Sequence, residues 1–221
     1  MKKILILIPA YNAARYLPEL VSRIGAAVPG AHTLIINDGS TDSTAEVLAG
    51  MKVLSLTNTP NMGKGYTLQR GFEYAIKEGY DYVVTIDADL QHLPEELPSF
   101  TNYGDRAGMV IGTRDIRLKV MPFARWLTNN LTSMIISIFS GQRIRDSQSG
   151  YRMVATELLQ KMKIRSIKYD YESEILFQAG ALDMNIGEVP IATVYEGSHS
   201  YINPLVDTGR FIKLIWKRML L

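Results

Sequence analysis

Five short runs of aliphatic and β-branched residues recur in the first half of the sequence: 3–8 (KILILI), 33–37 (TLIIN), 52–56 (KVLSL), 82–86 (YVVTI) and 108–112 (GMVIG). Stretches of helical periodicity at 13–27, 41–49 and 64–78 fall between most of them. Such a chain is confined to the α/β class, because parallel strands need a crossover, usually a helix, to return the chain to the same edge. The runs are apolar at consecutive rather than alternate positions, which suits strands covered by helices on both faces. The expected fold is a doubly wound, mostly parallel sheet. One domain over 1–221 is expected, since 221 residues fall within the range of a single α/β core. From residue 113 the alternation lapses. A polar, basic loop (113–119), an apolar helix (122–139), a loop (140–152), helices at 155–162 and 171–180, a strand at 186–194 and a final helix at about 204–220 are expected there.

Composition narrows the function classes. A formal charge of +2 is too small for a general nucleic-acid binder. Without cysteine the chain has neither disulfides nor zinc thiolate sites, which fits a reducing compartment. The apolar run at 4–8 is too short to span a bilayer, and no window offers about 18 uninterrupted apolar residues, so a soluble or peripheral protein is expected. No G-x-G-x-x-G follows the first run, which argues against a dinucleotide-dependent dehydrogenase.

In open parallel sheets ligands collect beyond the carboxyl ends of the strands. Three polar clusters fall there: Pro9, Tyr11 and Asn12 after the first run, NDGSTD (37–42) after the second, and Asp87, Ala88 and Asp89 after the fourth. In an extended strand residues two apart point the same way. Asp87 and Asp89 thereby bring several oxygens within reach of one hard cation such as Mg²⁺ or Mn²⁺. A D-x-D pair read alone also suits a solvated strand end or a helix cap, although Gln91 and His92 add two more polar groups here. NDGSTD equally reads as a turn with a helix cap, while Asp38 is placed to accept from a base N–H or a ribose hydroxyl. NMGKG (61–65) lacks the Walker spacing. A helix N-terminus with two glycines and Lys64 suits a diphosphate, or a simple turn.

Taken in order, IPAYN (8–12), NDGSTDST (37–44), NMGKG (61–65), DADLQHLPEELP (87–98), GTR (112–114) and DSQSGYR (146–152) resemble glycosyltransferase family 2. The branch they resemble is that of dolichol-phosphate mannose synthases and bacterial polyprenyl-phosphate sugar transferases, and EVPI (188–191) is similar to it too. The resemblance implies a Rossmann-like GT-A fold with a nucleotide-sugar half (1–112) and an acceptor half (113–221). It also implies a GDP- or UDP-hexose donor, a divalent metal and inversion at the anomeric carbon. Carried over by position, Pro9, Tyr11 and Asp38 would hold the nucleoside, and Asp87 and Asp89 would hold metal and diphosphate, with Gln91 beside the metal; Asn12, Lys64 and Ala88 complete the expected donor-binding set. Asp89, Arg114 and Asp146 would be the catalytic residues. Arg114 would grip a phosphate; Asp146 would orient the sugar or pair with a cation, unless its segment is simply a turn locked by an Asp–Arg pair.

The acceptor sets the remaining chemistry. A sugar hydroxyl must lose a proton as it attacks and needs a base, for which Glu172 or Glu174 is the candidate. A polyprenyl phosphate is mostly ionised near pH 7, its second pKa being about 6, and needs cations instead. Arg114, Arg117, Lys119 and Arg125 precede the apolar stretch LTSMIISIF (131–139), which suits a phosphate head on a lipid tail. A solvated loop before a buried helix is the plain alternative. Arg152 and His199 complete the expected acceptor set, His199 as a switchable cation. The last helix carries Lys213, Trp216, Lys217 and Arg218 and reads either as interfacial or as docked on the sheet. A peripheral protein on the cytoplasmic membrane face is expected, alone or with a membrane partner protein. Departures from the family pattern are Asn37 in place of the first acid of D-D-G-S, Ala13 where many members have Glu, and acids at 170, 172 and 174 where the branch can carry a basic residue. A non-catalytic nucleotide-sugar binder is the alternative from another class, and the intact D-x-D argues against it.

Overall fold

The computed structural model describes residues 2–103, 107–115, 123–166 and 171–192. Strand and helix alternate as β1 (Ile4–Ala10), α1 (Leu17–Ala27), β2 (His32–Asn37), α2 (Thr44–Ala49), β3 (Leu54–Thr57), α3 (Lys64–Lys77) and β4 (Tyr82–Thr85). A 3₁₀ turn (Pro94–Glu96) runs into α4 (Leu97–Thr101), followed by β5 (Met109–Thr113), α5 (Phe123–Ser140), β6 (Arg152–Ala155), α6 (Thr156–Lys161), α7 (Tyr171–Ala181) and β7 (Ile186–Pro190). α1 begins four residues later than its periodicity predicts. Residues 13–16 close a turn, Tyr16 N–H donating to Ala13 O at 2.9 Å, and Pro18 stands in the first helical turn, where a missing N–H leaves no hydrogen bond unmade.

Among the described residues one sheet takes all seven strands in the order β3-β2-β1-β4-β6-β5-β7. β6 runs antiparallel to both of its neighbours, β4 and β5. Residues 141–151 form the loop expected over 140–152, but no strand is expected from the sequence between it and the helix at 155–162, and β6 (Arg152–Ala155) is that strand. A four-residue strand that opens on arginine carries too little apolar signal to be read, yet Arg152, Met153 and Val154 are all buried.

The period of two divides the strand residues between two cores. Leu5, Leu7, Leu34, Ile36, Val83, Met109, Ile111 and Val154 meet Leu68 and Phe72 of α3, Ile136 of α5, Leu158 of α6 and Ile175 of α7 on one face. Ile6, Ile8, Ile35, Val84, Val110 and Met153 meet Leu17, Leu20 and Ile24 of α1, Leu48 of α2, and Leu97 and Phe100 of α4 on the other. Each such side chain contributes about 1.5–3 kcal/mol by leaving water. Strands apolar at every position are thus the consequence of two covered faces.

Strand register places the functional edge. Ala10 pairs with Asn37, Asn37 with Thr57, Leu7 with Thr85, and Thr85 with Arg152. The carboxyl ends of β1 to β4 therefore lie along one edge. Because β6 is antiparallel, its beginning lies there too, and the loop 146–151 enters the sheet beside the end of β4.

Candidate active site

At the ends of β1 and β2 the chain is braced by side chains on main-chain amides. Asn12 holds a positive φ of 51°; its Oδ1 accepts the N–H of Thr41 at 2.8 Å and of Asp42 at 3.3 Å, and its own N–H donates to Ser40 Oγ at 2.9 Å. Asp38 is 4% exposed. Its carboxylate accepts the N–H of Met62 (3.0 Å) and Gly63 (2.8 Å) and the Asn58 amide (2.8 Å). Asp38 therefore holds the start of α3 and aims Lys64. Gly39, at φ +65°, allows this approach: a Cβ there would lie 2.6 Å from Asn61 N. Tyr11 is exposed at the rim, Pro9 is half-buried in β1, and Ala88 is buried in the second core.

The acidic pair is asymmetric. Lys64 Nζ lies 2.8 Å from Asp87 Oδ1 and 3.1 Å from Glu172 Oε1 at the start of α7. Burial alone would push the Asp87 carboxyl up, but Lys64, aided by His92 and Arg114, holds it down at about 2. Burial likewise disfavours the Lys64 ammonium, and the two carboxylates outweigh it and raise its pKa. Gly150 makes room: a Cβ there would come within 2.9 Å of Lys64 Nζ and 3.1 Å of Asp87 Oδ2. His92 Nδ1 faces the Asp87 N–H at 3.5 Å, and its ring lies against Tyr151, which stacks on Phe100 with centroids 4.3 Å apart. Burial, with Lys64 and Arg114 nearby, brings the His92 pKa down to about 4 against the pull of Asp87. It is neutral at pH 7.

Asp89 has a different environment. Its carboxylate accepts the Gln91 N–H at 3.1 Å and Gln91 Nε2 at 2.9 Å. Burial and then the adjacent Asp87 charge raise its pKa. Among the described residues no group of three or more His, Cys, Asp or Glu side chains gathers to hold a metal. Two crowded carboxylates with an amide beside them fit a hard divalent ion, of the kind that uses one or two protein carboxylates and completes its shell with water and substrate phosphate.

On the other side of the site Arg114, just beyond β5, meets Asp146 in a two-pronged pair, Nε to Oδ2 at 2.7 Å and Nη2 to Oδ1 at 2.8 Å. Asp146 is fully buried; burial would raise its carboxyl, and Arg114 holds it below the ordinary range. Asn129 of α5 donates to the same carboxylate at 3.3 Å, and Ser133, one turn on, exchanges hydrogen bonds with Ser147. α5 is built inside out. Its buried side carries Asn129, Thr132, Ser133 and Ser140 around a single core residue, Ile136, whereas Leu131, Met134, Ile138 and Phe139 are 50%, 54%, 71% and 40% exposed. Between α5 and residues 143–145 a groove of about 470 Å³ runs from Arg114 past Met134 and Ile138 to Arg143.

Of the residues expected from sequence, Asp87, Asp89, Gln91 and Lys64 assemble at the end of β4, and Arg114 pairs with Asp146. Arg152 does not face an acceptor. It is fully buried and donates to the carbonyls of Ser147 (2.7 Å), Ser149 (2.7 Å) and Glu172 (2.8 Å), clamping the 147–149 loop to α7. Glu174 accepts the N–H groups of Arg165 and Ser166 and is likewise a brace; Glu172 alone of the two acids reaches the site. Arg117 and His199 lie outside the described residues, as does the side chain of Arg125. Sequence reasoning missed Asn129 and Ser133, whose i, i+4 spacing inside an apolar run was the available signal. It missed the brace made by Asn58 entirely.

Residues 5–167 match the Glycosyl transferase family 2 domain. The chain is 30% identical, over 87% of its length and 84% of that protein, to an undecaprenyl-phosphate mannosyltransferase of Micrococcus luteus. It is 29% identical, over 88% of its length and 86% of that protein, to a UDP-N-acetylglucosamine–dolichyl-phosphate N-acetylglucosaminyltransferase of Methanococcus voltae. In fold it is similar to glucosyl-3-phosphoglycerate synthase of Mycobacterium tuberculosis in complex with Mn²⁺, UDP and phosphoglyceric acid, with a TM-score of 0.73 at 18% identity over 95% of this chain and 74% of that one. With the GT-A sheet and the ordered motifs at its carboxyl edge, the chain belongs to glycosyltransferase family 2 and is a glycosyltransferase.

Proposed function

We propose that this protein transfers a hexosyl group from a nucleotide-diphosphate sugar to a polyprenyl phosphate, with a divalent metal and with inversion, at the cytoplasmic membrane surface. The observation that carries the acceptor is the inside-out α5: its apolar side faces outward beside a groove that begins at Arg114. A hydrophobic side left in water is costly, and an isoprenoid tail and bilayer surface would cover it while the arginine meets the phosphate head. The relatives from Micrococcus luteus and Methanococcus voltae carry undecaprenyl and dolichyl phosphate in their names, which supports the same reading. No helix among the described residues is long and apolar enough to cross a membrane.

An oxygen of the ionised phosphate attacks the anomeric carbon as the bond from that carbon to the diphosphate breaks, and the bonding pair leaves with the nucleoside diphosphate. Tyr11 and the loop braced by Asp38 flank the nucleoside. Asp87, Asp89 and Gln91 would hold the metal, which when bound would neutralise charge on the leaving diphosphate. Asp146 fixes the Arg114 guanidinium so that its remaining face meets phosphate oxygens. The acceptor brings its own charge and needs no base, in keeping with Glu172 being paired to Lys64 and Glu174 being tied to backbone.

The test is transfer of radiolabelled sugar from GDP-mannose, UDP-glucose and UDP-N-acetylglucosamine, each with Mn²⁺, into an organic-extractable product with and without undecaprenyl phosphate. Label extracted only when lipid is present is the expected result and names the donor. Label that stays aqueous with every donor overturns the lipid acceptor and transfers the role of base to Glu172.

A further inference from the structure

Lys64 stands where a metal ion and an ammonium cannot both be served. Its Nζ is 2.8 Å from Asp87 Oδ1, so a divalent ion on that carboxylate competes for the same oxygen and repels the ammonium. A second carboxylate is already in reach, Glu172 Oε1 at 3.1 Å. The two ends of this arrangement are braced independently. Asp38 holds Gly63 at the start of α3, and Arg152 holds the Glu172 carbonyl at the start of α7. The wall beside the pair is bare backbone, since a Cβ at Gly150 would meet Lys64 Nζ at 2.9 Å. The ammonium thus has somewhere to go over a short path without losing its counter-charge.

Resting on the metal-dependent reading above, we propose that Lys64 is the resident counter-ion of the acidic pair, which a divalent metal displaces from Asp87, and that Glu172 retains the displaced ammonium. Lys64 is then a positioning residue with two stations. In donor-free protein it keeps Asp87 paired and metal binding weak; when metal arrives with the donor, the ammonium is left on Glu172 at the edge of the diphosphate site. Metal and donor therefore bind cooperatively, and Lys64 is the reason.

The experiment is titration of the purified full chain with Mn²⁺ alone, free Mn²⁺ being read by electron paramagnetic resonance. Lys64→Met is expected to bind Mn²⁺ at least fivefold more tightly than wild type, and Lys64→Arg, which keeps the charge, to stay within twofold of it. Unchanged or weaker binding by Lys64→Met, or equal tightening by Lys64→Arg, overturns the proposal. Circular dichroism checks the fold, and Lys64→Gln replaces the methionine variant if that one does not fold. Glu172→Gln is expected to weaken Mn²⁺ binding at least threefold in wild type and to have no effect in the Lys64→Met background. Equal weakening in both backgrounds places Glu172 on the metal directly and overturns its role as a station. Failure of every form to bind Mn²⁺, even with UDP or GDP present, sinks the metal-dependent reading as well; binding that ignores Lys64 sinks this inference alone.

Discussion

The two sides of the site are built from different materials. At the ends of β1 and β2, Asn12 and Asp38 spend their side chains mainly on backbone N–H groups of the loops at 40–42 and 61–63. Past β4 the polar groups pair charge with charge, Lys64 with Asp87 and Glu172, and Arg114 with Asp146. Backbone amides stay where the fold puts them, so the first side is rigid and preformed. A charged side chain can exchange one counter-charge for another, so the second side can trade internal partners for metal and phosphate. On the proposed reading, the donor's nucleoside and the reacting charges would meet different kinds of surface.

The largest effect that tests this contrast is Asp89→Ala. Asp89 is the one acid of the pair that no ion pair among the described residues satisfies, and its raised carboxyl reflects burial and the Asp87 charge. Removing it should abolish transfer, by about 10³-fold or more if the metal supplies several kcal/mol at the leaving group. It should leave the thermal midpoint unchanged or higher, because charge crowding is relieved. Retained transfer in the radiolabel assay would break the assignment.

Arg114→Ala comes next. It leaves Asp146 fully buried without its cation, for which a stability loss of about 3 kcal/mol is expected. Urea unfolding measures this, and Asp146→Asn in the same chain should restore part of it. A full-sized loss that Asp146→Asn does not relieve would show that the pair is not the cause. The surviving protein should need several-fold more lipid phosphate for half-maximal rate while its donor affinity changes little. On the donor side the pattern inverts. Asp38→Ala frees two backbone N–H groups and one amide, worth about 3 kcal/mol together. It should weaken donor binding by calorimetry and leave the lipid requirement alone; equal effects on both substrates would erase the contrast.

Much of this was legible from sequence, and unevenly so. β1, β2, β4 and β5 announce themselves because strands buried on both faces read as unbroken apolar runs. The D-x-D end of β4 is local chemistry and survives any detail of packing. β6 was illegible: its four residues open on Arg152, and only the tertiary structure shows that this guanidinium is consumed by three carbonyls. The same fact removes Arg152 from the acceptor set, since a motif specifies residue type and not the direction in which a side chain points. Glu172 and Glu174 are likewise indistinguishable by spacing. They separate in the structure because residues 165 and 166 present their amides to one and Lys64 reaches the other.

The smallest effect concerns the seam between the two sides. His92 supports the Asp87 amide from within the core, and its native pKa of about 4 lies below the ordinary 6.5. Its contribution to stability is therefore complete above about pH 6.5 and is lost as pH falls toward 4, because the unfolded chain takes up the proton first. Between pH 7.5 and pH 5 the loss is about 2 kcal/mol, or roughly 6 °C in the thermal midpoint of a chain of this size. Asp87, held at about 2, titrates below that window. Asp89, raised, binds its proton more readily when folded and offsets the loss toward the acid end. In His92→Gln, whose amide oxygen can still accept the Asp87 N–H, the midpoint should become nearly flat across the same range. An undiminished slope would show that acid sensitivity arises elsewhere and that the imidazole is not the neutral prop on which the acidic pair rests.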